Sequence, residues 1–291
     1  MDALRSLLFV PADNPRKLAK ARTLRPDAFI LDLEDGVAID KKLEARATLT
    51  HNLESFKGLA SKIFVRVNSI GAKFFEGDIS SAVDPVVDGI FLPKCEDETD
   101  VNRVDSEITR TEAQKRMAPG KTKLLLILET PRGVVRAYEI GRSSKRVAAL
   151  AFGPEDYCAE MGIRRTRSGA EISIPRMLVS QAAHAARIAA LDGVFSDFHD
   201  EEGLVEDTRR GKEMGYTGKA VIHPSQILPV HRTFAPAEDD VAWAEEVIEA
   251  YREAGEKGSG LAVVRGKMVD EPVVGQARKI LRQRGADNNG K

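Results

Sequence analysis

The sequence predicts a (β/α)8 TIM barrel followed by a small C-terminal appendage of helix, hairpin and helix. Three observations carry that expectation. Eight apolar runs of four to seven residues, rich in Val, Ile, Leu and Phe, recur along the 291 residues, as in strands buried on both faces. Helical patterns fill the gaps, the alternation of a parallel barrel. Acids, Arg, Lys or His stand at nearly every carboxyl end of the runs, where barrel enzymes build their sites. A doubly wound open sheet competes, but no Gly-x-Gly-x-x-Gly follows the first run.

The first run, RSLLFV at 5–10, ends in Pro11-Ala12-Asp13-Asn14. Asn14-Pro15 sets a capping residue before a proline at the first helical position, which opens a helix over PRKLAKARTL. The second run, AFILDL at 28–33, ends on Glu34-Asp35, and the third, KIFVRV at 62–67, carries Arg66 before Asn68. Asp32 and Glu34 share one strand face; if that face is the barrel interior, both need partners, and Arg66 and Lys94 are the candidates. GIFLPK at 89–94 ends in Pro93-Lys94, and KLLLILE at 123–129 in Glu129-Thr130. VAALAFG at 147–153 runs into Pro154-Glu155-Asp156. Pro175–Leu191 is Ala-rich with apolar residues at helical spacing, so DGVFSD at 192–197 reads as the seventh strand, ending in Asp197. GKAVIH at 218–223 is the eighth and ends in His223.

Beyond His223-Pro224 the pattern changes. Asp239–Gly255 is an amphipathic helix with Trp243, Val247 and Tyr251 four apart. LAVVRGKMVD at 261–270 reads as a hairpin turning at Arg265-Gly266, and Pro272–Arg284 as a last helix. The expected division is residues 1–230 for the barrel and 231–291 for an appendage that packs on a neighbouring subunit.

Bulk properties exclude several roles. A net charge of -1 leaves no basic field for nucleic acid. No apolar run approaches a membrane span. Cys95 and Cys158 lie far apart and imply no disulfide framework, which fits a reduced, cytoplasmic compartment.

If the strand ends share one rim, its carboxylates and cations form either an ion network or a metal site. Glu129 and Asp156 end neighbouring strands and make the best metal pair. Two carboxylates plus water suit Mg²⁺; the alternative is a structural pair bridged to Arg66 or Lys94. Lys94 could instead form a Schiff base. His199 and His223 could be ligands or plain hydrogen-bonding groups. Arg16 and Lys17 sit on the first turn of a helix, which is either an anion subsite or a solvated face. Arg164, Arg165 and Arg167 form a second basic cluster, to hold phosphate or to decorate a surface loop.

RSLLFVPADNPRKLAKA, ILDLEDGV, VRVNS, LPK, ILET, AFGPEDY, GKAVIHPSQI and KMVDEP occur in that order, from Arg5 to about Arg282. This series resembles the citrate lyase beta-subunit-like family, with malyl-CoA and citramalyl-CoA lyases, of the HpcH/HpaI aldolase superfamily. The resemblance implies a barrel assembled as a homotrimer or a dimer of trimers. It implies Mg²⁺ (or Mn²⁺) on Glu129 and Asp156, and Arg66 near the thioester oxygen. Asp270 would be the acid/base, delivered from the neighbouring subunit. Phe9, Asn14 and Lys17 would line a coenzyme A site. Glu34, Asp35 and Lys94 are expected to support Arg66 and metal-bound water without ligating the ion. The implied reaction is reversible Claisen cleavage of a malyl-, citramalyl- or citryl-CoA type thioester to acetyl-CoA and a 2-oxo acid. The alternatives are a malyl-CoA thioesterase, a malate-synthase-like activity, a citryl-carrier-protein lyase subunit of a citrate lyase complex, or a metal-dependent aldolase of free acids. Ile174-Pro175-Arg176, of which only Arg176 matches the family pattern, and RRTRSGAEIS depart from it near the expected substrate entrance.

Overall fold

In the computed structural model, which describes residues 4–289, eight parallel strands close into a barrel in sequence order. The chain runs β1 (Ser6–Pro11), α1 (Pro15–Ala21), β2 (Ala28–Asp32), α2 (Lys42–Asn52), β3 (Lys62–Arg66), α3 (Phe75–Ala82), β4 (Gly89–Leu92) and α4 (Glu98–Gln114). It continues through β5 (Lys123–Leu128), α5 (Pro131–Val135), α6 (Ala137–Arg142), β6 (Val147–Phe152), α7 (Pro154–Met161) and α8 (Ser173–Ala185). Then follow β7 (Ala189–Asp192), α9 (Glu201–Glu213), β8 (Gly218–Val221) and α10 (Ile227–Phe234).

Strand residues alternate between two buried environments. Leu7, Ala28, Ile30, Phe64, Phe91, Leu125, Ile127, Ala149, Ala151 and Leu191 fill the barrel interior. Between them Leu8, Phe29, Leu31, Val65, Ile90, Leu126 and Leu150 are equally buried beneath the helices. Both faces being dry is why the runs read as continuously apolar rather than alternating. At Gly218 a Cβ would lie 1.6 Å from the Leu4 carbonyl oxygen, so β8 closes on β1 only without a side chain there.

One boundary differs from the sequence expectation. The helix expected over Pro175–Leu191 stops at Ala185. Arg187 takes a left-handed φ of 59°, and the Arg187 and Ile188 amides donate to His184 and Ala183 carbonyls, ending the helix. The seventh strand is then Ala189–Asp192, and Gly193–Asp197, expected as that strand, is loop. Ala189 and Ala190 have strong helix propensity; they are extended because both pair with β6, a tertiary cause that local pattern does not carry.

The chain divides into two compact units, Met1–His231 and Arg232–Lys291. The second contains α11 (Glu238–Glu256), β9 (Ala262–Val264), β10 (Lys267–Val269) and α12 (Glu271–Asn289). Its own core is Ala244, Val247, Val264, Val269, Val274 and Ala277. The hairpin turns through Arg265 (φ 47°) and Gly266 (φ 75°), two successive left-handed residues, the geometry that matches strand twist. Among the described residues no helix is long and apolar enough to cross a membrane.

Candidate active site

The site begins where β2 and β3 end side by side, because Asp32 pairs in register with Arg66. Arg66 Nε and Nη2 donate to the two Asp32 carboxylate oxygens, each at 2.7 Å. The Glu34 and Gly36 amides also donate to Asp32, each at 2.8 Å. A Cβ at Gly36 would stand 2.4 Å from Asp32 Oδ2, so the chain can fold back over this carboxylate only with glycine there. Arg66 Nη1 reaches Glu34 Oε2 at 3.0 Å and Asp35 at 3.8 Å. The guanidinium lies over the Phe9 ring, 4.7 Å from its centroid, and Phe9 meets Phe91 edge-on. Burial works against the Arg66 charge, but Asp32, Glu34 and Asp35 outweigh it and hold the group firmly protonated. Burial is also the main influence on Glu34, which is pushed up to about 7 although Arg66 pulls the other way.

Across the rim, Glu129 follows the last residue of β5, and Asp156 sits on the first turn of α7. Glu129 is 4% exposed. Its Oε1 accepts the Lys94 amide at 2.8 Å. A Cβ at Gly153 would fall 2.5 Å from Glu129 Cβ and 2.7 Å from Oε2, so this glycine makes room for the carboxylate. Burial first, then the neighbouring Asp156 and Glu34 charges, push Glu129 up to about 8. Two adjacent carboxylates, one of them buried and so poorly compensated, are suited to a cation. Among the described residues no three His, Cys, Asp or Glu side chains converge as a cage. An ion on this pair would complete its shell with water or substrate oxygens, as Mg²⁺ does.

Lys94 stands between the two halves. Its Nζ is 3.6 Å from Glu34 Oε1. Burial lowers its basicity, but Glu34, Asp156, Asp35 and Glu129 together raise it above the ordinary amine value. A protonated ammonium is no nucleophile, which counts against the Schiff-base alternative.

The other expected groups are distributed more widely. Asn14 Oδ1 accepts the Lys17 amide at 3.1 Å and caps α1, leaving the Lys17 ammonium exposed. Asp270 belongs to the second unit, between β10 and α12, where it accepts the Val273 amide at 3.3 Å. His223 Nδ1 accepts the Ser225 amide at 3.2 Å and its ring stacks on Phe198, which also meets His199. Among the described residues neither histidine joins a metal-binding cluster. Arg165 pairs with Glu155 and Glu171, and Arg167 with Asp200, so two cations of that cluster are spent on local acids. Arg176, expected near the substrate entrance, is instead 2% exposed. It bonds Asp192 and Asp207, and Lys219 joins the same acids, in a buried ion cluster between the barrel wall and α8 and α9. Asp192 faces that way because its neighbour Leu191 fills the barrel interior.

Sequence reading named Arg66 and Lys94 as candidate partners for Asp32 and Glu34 without dividing them; Asp32 is the main hold on Arg66, and Lys94 goes to Glu34. The signal was that Asp32 and Arg66 end consecutive runs. Gly153, which admits Glu129, went unnoticed because a glycine closing a strand is unremarkable by itself.

A closed parallel barrel whose carboxyl rim pairs two carboxylates and clamps an arginine defines an enzyme with a centre suited to a divalent cation. Residues 5–224 match the family described as HpcH/HpaI aldolase/citrate lyase, and the chain belongs to that family. It is similar to the citrate lyase subunit beta of Haemophilus influenzae, with 37% identity over 97% of each chain. It is 32% identical to the mitochondrial citramalyl-CoA lyase of Homo sapiens, over 95% of this chain and 84% of that one. The protein CitE from Mycobacterium tuberculosis, solved in complex with magnesium, acetoacetate and coenzyme A, superposes with a TM-score of 0.81. The two share 32% identity, over 98% of this chain and 99% of that one. With both of these curated relatives named as lyases, the chain is a lyase of this family.

Proposed function

We propose that this chain reversibly cleaves a 3-hydroxy acyl-CoA thioester that carries a carboxylate on its hydroxyl-bearing carbon, releasing acetyl-CoA and a 2-oxo acid. The observation that carries the reading is one connected set of groups: Glu129 beside Asp156, linked through the Lys94 amide and ammonium and through Glu34 to an arginine that Asp32 immobilises. Glu129 and Asp156 would hold Mg²⁺, or Mn²⁺ in its place, and the magnesium and coenzyme A bound by the CitE relative support both assignments. When bound, such an ion supplies Lewis acidity toward the hydroxyl and carboxylate oxygens of substrate.

The protein side chains do the rest. Arg66 commits Nε and one N–H each from Nη1 and Nη2 to Glu34 and Asp32. Its other N–H groups are available to the thioester oxygen as that oxygen takes up enolate charge. Because the guanidinium is locked before substrate arrives, little reorganisation accompanies that charge development. Phe9 supports the guanidinium from below and, with Asn14 and Lys17 at the start of α1, would border the coenzyme A. Asp270 would protonate the enolate carbon, or remove that proton in the condensing direction.

The test is metal-dependent cleavage of malyl-, citramalyl- and citryl-CoA, with 2-oxo acid and free thiol counted from the same reaction. A lyase releases 2-oxo acid and keeps the thioester intact. Free thiol without 2-oxo acid would establish a thioesterase and overturn the reading. A second reading, a subunit acting on a carrier-bound citryl thioester within a complex, draws support from the word subunit in the bacterial relative's name. It predicts turnover only when the carrier thioester is supplied.

A further inference from the structure

Among the described residues four non-glycine positions have positive φ: Lys94, Arg116, Arg187 and Arg265. Arg116 follows α4, Arg187 follows α8 and Arg265 lies in the hairpin turn, all ordinary settings for a left-handed residue. Lys94 alone follows a strand, with φ 53°, just past β4. L-residues rarely adopt this conformation, and glycine adopts it freely. If the turn alone mattered, glycine would serve better.

The turn has a geometric result. It aims the Lys94 amide at Glu129 Oε1, and no other N–H among the described residues donates to Glu129. The next amide, Cys95, returns to the strand ladder on the Ile127 carbonyl. The same residue sends its ammonium the other way, to Glu34 Oε1 at 3.6 Å, while Glu34 Oε2 meets Arg66 at 3.0 Å.

We propose that Lys94 is a positioning residue with two separable roles: its left-handed amide fixes the Glu129 carboxylate for the metal, and its ammonium fixes Glu34 against Arg66. The proposal rests on the reading of Glu129 and Asp156 as the metal pair. A backbone donor cannot rotate away as a side chain can, so Glu129 is preset before an ion binds. The ammonium restrains one Glu34 oxygen, so that the other stays on Arg66 while the guanidinium turns toward substrate. Lysine at a position suited to glycine joins the two halves in one residue.

The experiment separates the roles. Mn²⁺ affinity of the free protein is measured by electron paramagnetic resonance titration for Lys94→Gly, Lys94→Ala and Lys94→Val. All three lack the ammonium, so they differ only in how readily they hold the left-handed turn. The expected order of affinity is Gly, Ala, Val, with about a tenfold span from first to last. Any two of the variants suffice to read the order. Equal affinities overturn the backbone role. Lys94→Met and Lys94→Arg share a backbone preference and differ in charge. At saturating metal, kcat is expected to fall about tenfold in Lys94→Met with KM little changed, and to be largely retained in Lys94→Arg. Unaltered kcat in Lys94→Met overturns the ammonium role. If the unmodified chain binds no Mn²⁺, the metal reading itself fails and this proposal with it.

Discussion

At the scale of single residues, the site is held by Asp32, which touches no substrate in the proposed reaction. Four donors converge on its carboxylate: Arg66 Nε and Nη2 and the amides of Glu34 and Gly36. Asp32→Ala would leave the Arg66 guanidinium buried with only Glu34 at 3.0 Å and the more distant Asp35 at 3.8 Å as acid partners. Removing one partner of a buried pair destabilises by about 3–5 kcal/mol, so the expected result is a loss of that size in urea unfolding and a sharp fall in kcat/KM. Unchanged kcat/KM in a folded Asp32→Ala protein would remove Arg66 from the mechanism. The sequence made this acid cluster visible because Asp32, Glu34 and Asp35 interrupt an apolar run. It did not reveal which acid holds the arginine, since that depends on strand register. Lys94 illustrates a harder limit. Nothing in Pro93-Lys94-Cys95 signals a left-handed turn, because lysine does not favour one.

At the scale of elements, ion pairs pin the outer helices to the barrel wall. Glu112 on α4 accepts both Arg146 terminal nitrogens, at 2.7 and 3.0 Å, and the Thr122 and Gly120 amides. Burial opposes its charge, yet Arg146 and those amides bring Glu112 down to about 2. The folded-state value lies below the ordinary carboxylate value. The stabilisation is therefore fully present above about pH 4.5 and is lost as pH falls toward 2. A shift of that size corresponds to about 3 kcal/mol. Glu112→Gln is expected to lose about that much stability at pH 7 and to show a flatter decline between pH 4.5 and 2 in acid unfolding. An unaltered acid profile would show that Glu112 titrates as it does when unfolded. Elements themselves were legible where local chemistry and burial agree. Arg265-Gly266 between apolar runs announced the hairpin, and Asn14-Pro15 announced α1. β7 was misread because its alanines favour helix, and the sheet neighbours that decide otherwise are distant in sequence.

At the scale of the molecule, the proposed acid/base and the proposed metal pair lie in different compact units. The hairpin leading to Asp270 exposes Leu261, Val263 and Met268, with Val263 and Met268 paired across the strands. A clustered apolar face beside the proposed acid is suited to contact with another surface. In a ring of identical subunits, each appendage can serve the next barrel through one repeated heterologous contact. That arrangement has a quantitative consequence. Asp270→Asn keeps an intact barrel with a dead appendage, and Glu129→Gln keeps an intact appendage with a dead barrel. Neither homo-oligomer should turn over, while Asp270→Asn should still bind Mn²⁺ and thioester. After equal mixing and subunit exchange, about half the barrels are intact, and about half of those meet an intact appendage from a neighbour. Activity should therefore recover to about a quarter of the unmodified enzyme, with analytical ultracentrifugation reporting trimers or hexamers before and after mixing. If exchange is verified and no activity returns, Asp270 does not act across subunits. If Asp270→Asn alone keeps full turnover, the proton is handled elsewhere on the barrel rim, where Glu34, up at about 7, is the group next in line.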